Sequence, residues 1–254
     1  MPEKNYAHLV PPKSISFPGG GGSDSATYIR HSFTQLEFFK SLGGLEPNSA
    51  VLEVGCGTGN MALALTDFLS TEGSYTGFDL DVERIAWCQK TYEQHRSNFS
   101  FQHSDVLNEH YNKSGTVPAE SYQFPFADCS FDFVILNSVF THMLPDAMKN
   151  YLSEISRVLQ PGGRVYATYF LLNMTSFTKI VTKTAKFNFI HPADGALCVD
   201  KKNPELAVAY YEPEIVAEFE LRELDIACVR YGRWASPNGL VGGQDVVIAR
   251  KSTS

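Results

Sequence analysis

Val51-Leu52-Glu53-Val54-Gly55-Cys56-Gly57-Thr58-Gly59-Asn60 is an apolar run that meets three alternate glycines and continues into a helix-compatible stretch. Glycines at such a junction let the backbone turn tightly and approach a ligand with no Cβ in the way. The next strand-like run, Ser74–Phe78, ends in Gly77-Phe78-Asp79-Leu80. This places Asp79 where a carboxylate accepts both hydroxyls of a ribose. A structural turn followed by a helix-capping acid is the plainer alternative, and it suits Asp81 better than Asp79. A strand before the loop, a helix after it and an acid closing the next strand together read as a nucleoside-binding unit.

Two details point away from a dinucleotide. The dinucleotide pattern, G-x-G-x-x-G, sets its third glycine one position later than Gly59, where this chain has Asn60. Glu53 also adds an acid just before the loop, which would repel a pyrophosphate and suit a cationic ligand such as a sulfonium or an ammonium.

Working outward, strands and helices alternate, which implies a parallel sheet with crossover helices. Strands are expected at Ala50–Val54, Ser74–Phe78, Phe99–Gln102, Phe131–Asn137 and Gly163–Phe170, and helices at Asn60–Leu69, Asp81–Arg96 and Pro145–Leu159. Pro161-Gly162-Gly163 is expected to end the last of these. An earlier helix runs from Tyr28 to Leu42 and stops at Gly43-Gly44. Residues 1–25, which combine Pro11, Pro12, Pro18 and the Gly19–Gly22 run, read as a flexible arm. Residues 26–254 read as one domain, in which 173–210 lack clear periodicity and look like an inserted cap over the substrate. A short helix, Pro213–Glu223, and two runs close enough for an antiparallel hairpin, Ile226–Tyr231 and Asp245–Ala249, finish the chain.

Composition narrows the class. The 254 residues are 43% hydrophobic and 19% charged, which suits a well-buried core. Lys+Arg 21 against Asp+Glu 28 gives a net charge of −7, so nucleic acid is not an expected partner. The five cysteines form no C-x-x-C pair, and their odd number cannot pair fully within the chain. Neither a metal site nor a disulfide framework is expected, and a reducing cytoplasm is. The start has no apolar signal segment, and no stretch approaches the roughly 18 apolar residues needed to cross a bilayer.

From about Ser25 to Lys251 the chain resembles the class I S-adenosylmethionine-dependent methyltransferases. The likeness rests on E-V-G-C-G-T-G at 53–59, G-F-D at 77–79, H-S-D at 103–105, F-D-F-V at 131–134 and R-V-L-Q-P-G-G at 157–163, in register. It is nearest to a bacterial small-molecule group with S-V-F-T-H-M-L-P after the fourth strand. The resemblance implies a Rossmann-like α/β fold: a mostly parallel seven-stranded sheet with a C-terminal antiparallel hairpin. It also implies S-adenosylmethionine as cofactor and a small-molecule acceptor as partner, with oligomeric state open. By the same likeness Gly55, Cys56, Gly57 and Gly59 line the methionyl part, Glu53 orients the loop, and Asp79 binds the ribose. Leu80 packs on the adenine, Asp105 accepts from its amino group, Val106 flanks the ring, and the Asn137 backbone faces the amino-acid portion. Gly22–Tyr28 would close over the cofactor, with Tyr28 or Arg30 near its carboxylate.

On the acceptor side, methyl transfer to a hydroxyl benefits from a base. His142, just past the fourth strand, is the candidate; it reads equally as a histidine packing near the Pro145 helix. The long 108–130 segment offers His110, Tyr111 and Tyr122 as a lid over the acceptor, and Asn173, His191 and Trp234 are lesser candidates. O-methylation of a sugar, glycolipid or secondary metabolite is the leading expectation. N-methylation of a small amine and a non-catalytic nucleoside-binding role are the alternatives, since fold alone does not decide function.

Overall fold

A computed structural model of the chain describes residues 6–16, 24–235, 239 and 242–253. Contacts within the chain divide it into two compact units, Met1–Ser104 and Asp105–Ser254, where the sequence reading has one domain from residue 26.

In the first unit three strands run parallel in chain order: β1 (Ala50–Val54), β2 (Ser74–Asp79) and β3 (Phe99–His103). Val54 pairs with Phe78, and Asp79 with His103, so the C-terminal ends of all three strands lie side by side. In open α/β sheets that edge is where ligands bind. Three α-helices belong to the described residues of this unit. The first, α1 (Ser25–Ser41), starts three residues before the expected Tyr28 because the Asp24 side chain caps it by accepting from Thr27 N. The glycine run Gly19–Gly22 lies outside the described residues. Residues 6–16 depart from the flexible-arm reading: Leu9 is buried, and the Tyr6 hydroxyl donates to Asp67 Oδ2 at 2.5 Å. α2 (Asn60–Phe68) buries Met61 to Leu65 almost without interruption. α3 (Val82–Cys88), capped by Asp81, passes into a π-helical turn over Gln89–Glu93, so the expected Asp81–Arg96 helix stops three residues early.

The second unit supplies β4 (Phe131–Leu136), β5 (Leu159–Tyr169), β6 (Leu224–Arg230) and β7 (Asp245–Lys251). β4 and β5 are parallel, β7 is antiparallel to β5, and β6 is antiparallel to β7. The second unit's strands therefore end, as expected, in an antiparallel hairpin. α4 (Pro145–Val158) has Pro145 in its first turn, where the missing N–H costs nothing, and buries Ala147, Met148, Tyr151, Leu152 and Ile155 on one face. Pro161-Gly162-Gly163 does not merely end this helix. It lies inside β5, which begins at Leu159, and a register irregularity between Phe131 and Phe133 absorbs the extra residues.

The segment with no clear periodicity is ordered. It holds α5 (Met174–Val181) and a small four-stranded sheet of Leu171–Leu172, Val208–Tyr211, Ala196–Cys198 and His191–Ala193. Strands this short carry too few residues to show alternation. Their core is aromatic: Trp234 packs edge-on to Phe170 at 5.3 Å and to Phe189 at 5.4 Å. α6 (Glu212–Glu220) then leads into β6. Among the described residues no helix is long and apolar enough to cross a membrane.

Asp245 ties this subdomain to the end of β7. Its buried carboxylate accepts from Leu171 N at 2.8 Å, Gly232 N at 2.8 Å and Trp234 Nε1 at 2.7 Å. Asp245→Ala strands three buried donors and is expected to cost about 3 kcal/mol or more in urea denaturation. A loss below about 1 kcal/mol contradicts this role.

Candidate functional site

The glycine loop is pinned to the end of β2 through its own backbone. Gly55 N and Cys56 N both donate to Phe78 O, at 2.8 and 3.0 Å, and Gly57 N donates to Asp79 Oδ2 at 2.8 Å. Asp81 N donates to the other carboxylate oxygen at 3.0 Å. Each carboxylate oxygen keeps a further lone pair free to accept. Burial pushes the Asp79 carboxyl upward, opposed by the Asp81 and Gly57 N–H groups.

The glycines do different work. Gly57 has φ +53°, and a Cβ there would meet nothing within 4 Å, so no packing demands a glycine and the space beside the backbone is open. Gly59 has φ +77°, and a Cβ would stand 2.6 Å from the Tyr92 ring and 3.3 Å from Cys88 Sγ. Gly59 thus lets the π-helical turn close against the loop, a packing role added to the lining role that the resemblance implies. The Tyr92 hydroxyl donates to Gly59 O at 2.9 Å, and Cys88 Sγ to Gly57 O at 3.5 Å. Cys56 is buried, which suits a small packing residue. Leu80 is half-buried, and its carbonyl lies 3.2 Å from His103 Nε2.

α1 braces the other side of the loop. The Tyr28 hydroxyl donates to Thr58 O at 3.1 Å, Asn60 Nδ2 donates to Tyr28 O at 2.9 Å, and His31 Nδ1 meets Asn60 Oδ1 at 2.7 Å. Of the two residues offered near the cofactor carboxylate, Tyr28 reaches the loop. Arg30 is exposed and bonds Thr27 Oγ1 instead.

Glu53 corrects the charge argument. It is buried, takes the Tyr75 hydroxyl as its partner, and burial lifts its pKa from 4.5 to about 8. Burial thus favours its protonated form near neutral pH, and a cationic ligand beside it would pull the other way. Tyr75 is not legible as this partner in the sequence, because a strand tyrosine carries no signal of what it will bond.

In the second unit, Asp105 is exposed and accepts the Thr116 hydroxyl at 2.5 Å, while Val106 is buried and pairs with Val117. Asn137, half-buried, directly follows β4; the next residue, Ser138, has φ +64° and donates its N–H to Thr168 Oγ1 at 2.7 Å.

His142, His110 and Tyr111 come together. The Tyr111 ring stands edge-on to His110 at 4.5 Å and to His142 at 5.2 Å, and the two imidazoles are near-parallel with centroids 6.3 Å apart. His142 Nδ1 lies 3.1 Å from the backbone carbonyl of Glu205. A carbonyl only accepts, so Nδ1 carries the proton and neutral His142 keeps its lone pair on Nε2. Burial pushes the His142 pKa down, so it is neutral at pH 7. Asn108 organises the cluster. Its Nδ2 donates to His142 O at 3.2 Å and Glu205 Oε1 at 3.0 Å, and its Oδ1 accepts from His110 N and Tyr111 N at 3.0 and 2.8 Å. Asn203 Nδ2 donates to His110 Nδ1 at 3.0 Å. Asn108, Asn203 and Glu205 were missed in the sequence: the Pro204–Leu206 turn lies about 60 residues beyond His142. The one local hint is the residue type of Asn108, whose side chain accepts from N–H groups two and three positions further on.

Four further candidates stand apart from this cluster. Tyr122 packs on Phe124 and Tyr151 at 6.1 and 6.3 Å. Asn173 caps α5, and its Nδ2 donates to Glu212 Oε2 at 2.8 Å. His191 pairs with Cys198 within the small sheet. Trp234 closes the aromatic core with its indole N–H on Asp245, so it does not stack on a ligand.

Residues 52–167 match the family described as a methyltransferase domain. The chain is 29% identical over 152 residues to a demethylmenaquinone methyltransferase of Staphylococcus haemolyticus, covering 54% of this chain and 56% of that one. It is 36% identical over 122 residues to a phthiotriol/phenolphthiotriol dimycocerosates methyltransferase of Mycobacterium tuberculosis, covering 48% and 36%. The chain thus spans about half or less of the length of these curated relatives. A solved S-adenosylmethionine-dependent methyltransferase of Methanosarcina mazei shares the fold with a TM-score of 0.58 at 21% identity, covering 84% of this chain and 97% of that one.

The raised pKa of Glu53 has a consequence for stability. The folded state keeps a proton that the unfolded chain releases above pH 4.5, so stability falls between 4.5 and about 8. The expected slope is about 1.4 kcal/mol per pH unit. Glu53→Gln, which can still accept from Tyr75, should flatten that part of the stability profile in urea titrations. An unchanged slope contradicts a protonated Glu53.

Proposed function

We propose that the chain, whose residues 52–167 match the methyltransferase domain family, is a class I S-adenosylmethionine-dependent methyltransferase that transfers a methyl group to a hydroxyl oxygen of a small-molecule acceptor. The observation that carries the choice of oxygen is the His142 imidazole, neutral and fixed by Glu205 O with its lone pair on Nε2.

The first unit's loop fits the family's cofactor: the open space beside Gly57 admits a ligand close to backbone, and Asp79 keeps lone pairs for two ribose hydroxyls. When bound, S-adenosylmethionine supplies a methyl carbon activated by a sulfonium, so the protein has mainly to position and deprotonate. In this reading Asp79 orients the ribose, and the Gly55–Gly57 backbone, anchored on Phe78 O, holds the loop against the ligand. His142 Nε2 would hold the acceptor hydroxyl's proton, while the cofactor would supply the methyl carbon and keep the S–C bonding pair as its neutral thioether. Asn108 and the Glu205 carbonyl keep the ring in the tautomer that can accept it. His110 and Tyr111 supply an aromatic wall beside His142.

Incubating the chain with cofactor carrying a trideuterated methyl group and a cell extract should label one small hydroxylic compound, located by mass spectrometry. Once that acceptor is in hand, His142→Gln should lower kcat about 100-fold while cofactor affinity stays unchanged. Because burial depresses the His142 pKa below the ordinary 6.5, the wild-type rate should fall only at pH values below that, and the variant should lose this limb. A label on nitrogen or carbon contradicts oxygen as the acceptor atom. A near-normal His142→Gln rate with the same pH profile removes His142 as the base.

A further inference from the structure

The chain as a whole is acidic, at −7, yet no Asp or Glu occurs between Leu171 and Ala193, while Lys179, Lys183 and Lys186 do. That segment also carries large apolar side chains into solvent. Met174 is 84% exposed, Val181 78% and Ile190 53%, whereas Ser176 and Ile180 on the opposite side of α5 are buried. Met174 and Val181 stand seven residues apart, two helical turns, and so share one face. Beyond the helix the chain continues through exposed Lys183 and Lys186, with Lys186 Nζ 5.4 Å from the Phe187 ring centroid. The nearby acid Glu212 is occupied, accepting from Asn173 Nδ2 and from the hydroxyl of part-exposed Tyr231.

We infer that α5 and the Thr182–Ile190 segment after it form a docking surface for an anionic lipid bilayer. Apolar tips on an amphipathic face, flanked by lysines whose stems lie along the surface, suit the boundary between headgroups and acyl chains. Lysines near an anionic leaflet attract it, while the rest of this acidic chain is repelled, so the charge pattern sets which face approaches. The aromatic core beneath (Phe170, Phe189, Trp234) makes the face a rigid platform for Met174, Val181 and Ile190. A water-soluble acidic protein partner would satisfy the lysines but not three projecting aliphatic side chains. This inference does not depend on the proposed reaction.

The test is co-sedimentation of the full chain with vesicles of phosphatidylcholine alone, or with about one-third phosphatidylglycerol, at low and high salt. The chain should pellet with the anionic vesicles at low salt, stay largely in solution with phosphatidylcholine alone, and be released by salt. Lys183→Glu with Lys186→Glu, and separately Met174→Ser with Val181→Ser, should each weaken partitioning about tenfold or more. Thermal midpoint and S-adenosylhomocysteine affinity, which these surface changes should leave alone, report that the variants are folded. No binding of the wild type to anionic vesicles overturns the inference, as does binding that both double variants retain. A wild-type dimer in sedimentation velocity that Met174→Ser with Val181→Ser returns to monomer also overturns it, by making a second copy the occupant.

Discussion

The C-terminal end of β2 holds the glycine loop by its own atoms: Phe78 O receives two loop N–H groups and Asp79 Oδ2 a third. These bonds leave the loop little freedom, and they need Val54 and Phe78 to be neighbours in a parallel register. Everything in the first unit answers to that geometry. Tyr28 and Asn60 brace the loop from α1 and α2, Tyr92 and Cys88 from the other flank, and Gly59 is the residue whose missing side chain lets them in. Preorganisation of this kind means that a ligand meets backbone already in place instead of having to order it.

The histidine cluster of the second unit rests on a different device. Asn108 uses both ends of its amide, so one buried side chain sets the position of the His142 backbone, the Glu205 carboxylate and the His110–Tyr111 turn. The Glu205 carbonyl then selects the His142 tautomer. Partners that fix a tautomer decide whether a histidine offers a lone pair or a proton, so a distant turn governs the chemistry open to this ring. Burial acts in the same direction by keeping the ring neutral.

How far this was legible in the sequence follows from what is local. The strand, loop, helix and acid around Gly55–Asp79 were readable because each is set within a few residues, and β1 spans Ala50–Val54 as expected. Asp81 as a helix cap is of the same kind. The position of Glu53 beside the loop is plain in the sequence, but its charge depends on Tyr75, which sits beside it only once the strands pair. Trp234 and Asn173 look like ligand contacts by type and prove to be core and cap, because Asp245 and Ser176 claim their polar atoms. His110, Tyr111 and His142 were found by residue type, whereas Asn203 and Glu205, which hold two of them, come from a segment whose strands are too short to show a pattern. Pro161-Gly162-Gly163 reads as a helix stop, yet it lies inside a long strand, since a register irregularity tolerates the proline there.

The most direct measurement is isothermal titration calorimetry of the intact chain with S-adenosylhomocysteine and, separately, NADH. One-to-one binding of S-adenosylhomocysteine, no heat from NADH, and affinity weakened about tenfold or more in Asp79→Asn are the results predicted by a loop anchored on Phe78 and Asp79. Binding of NADH without S-adenosylhomocysteine, or affinity indifferent to Asp79, would contradict that site.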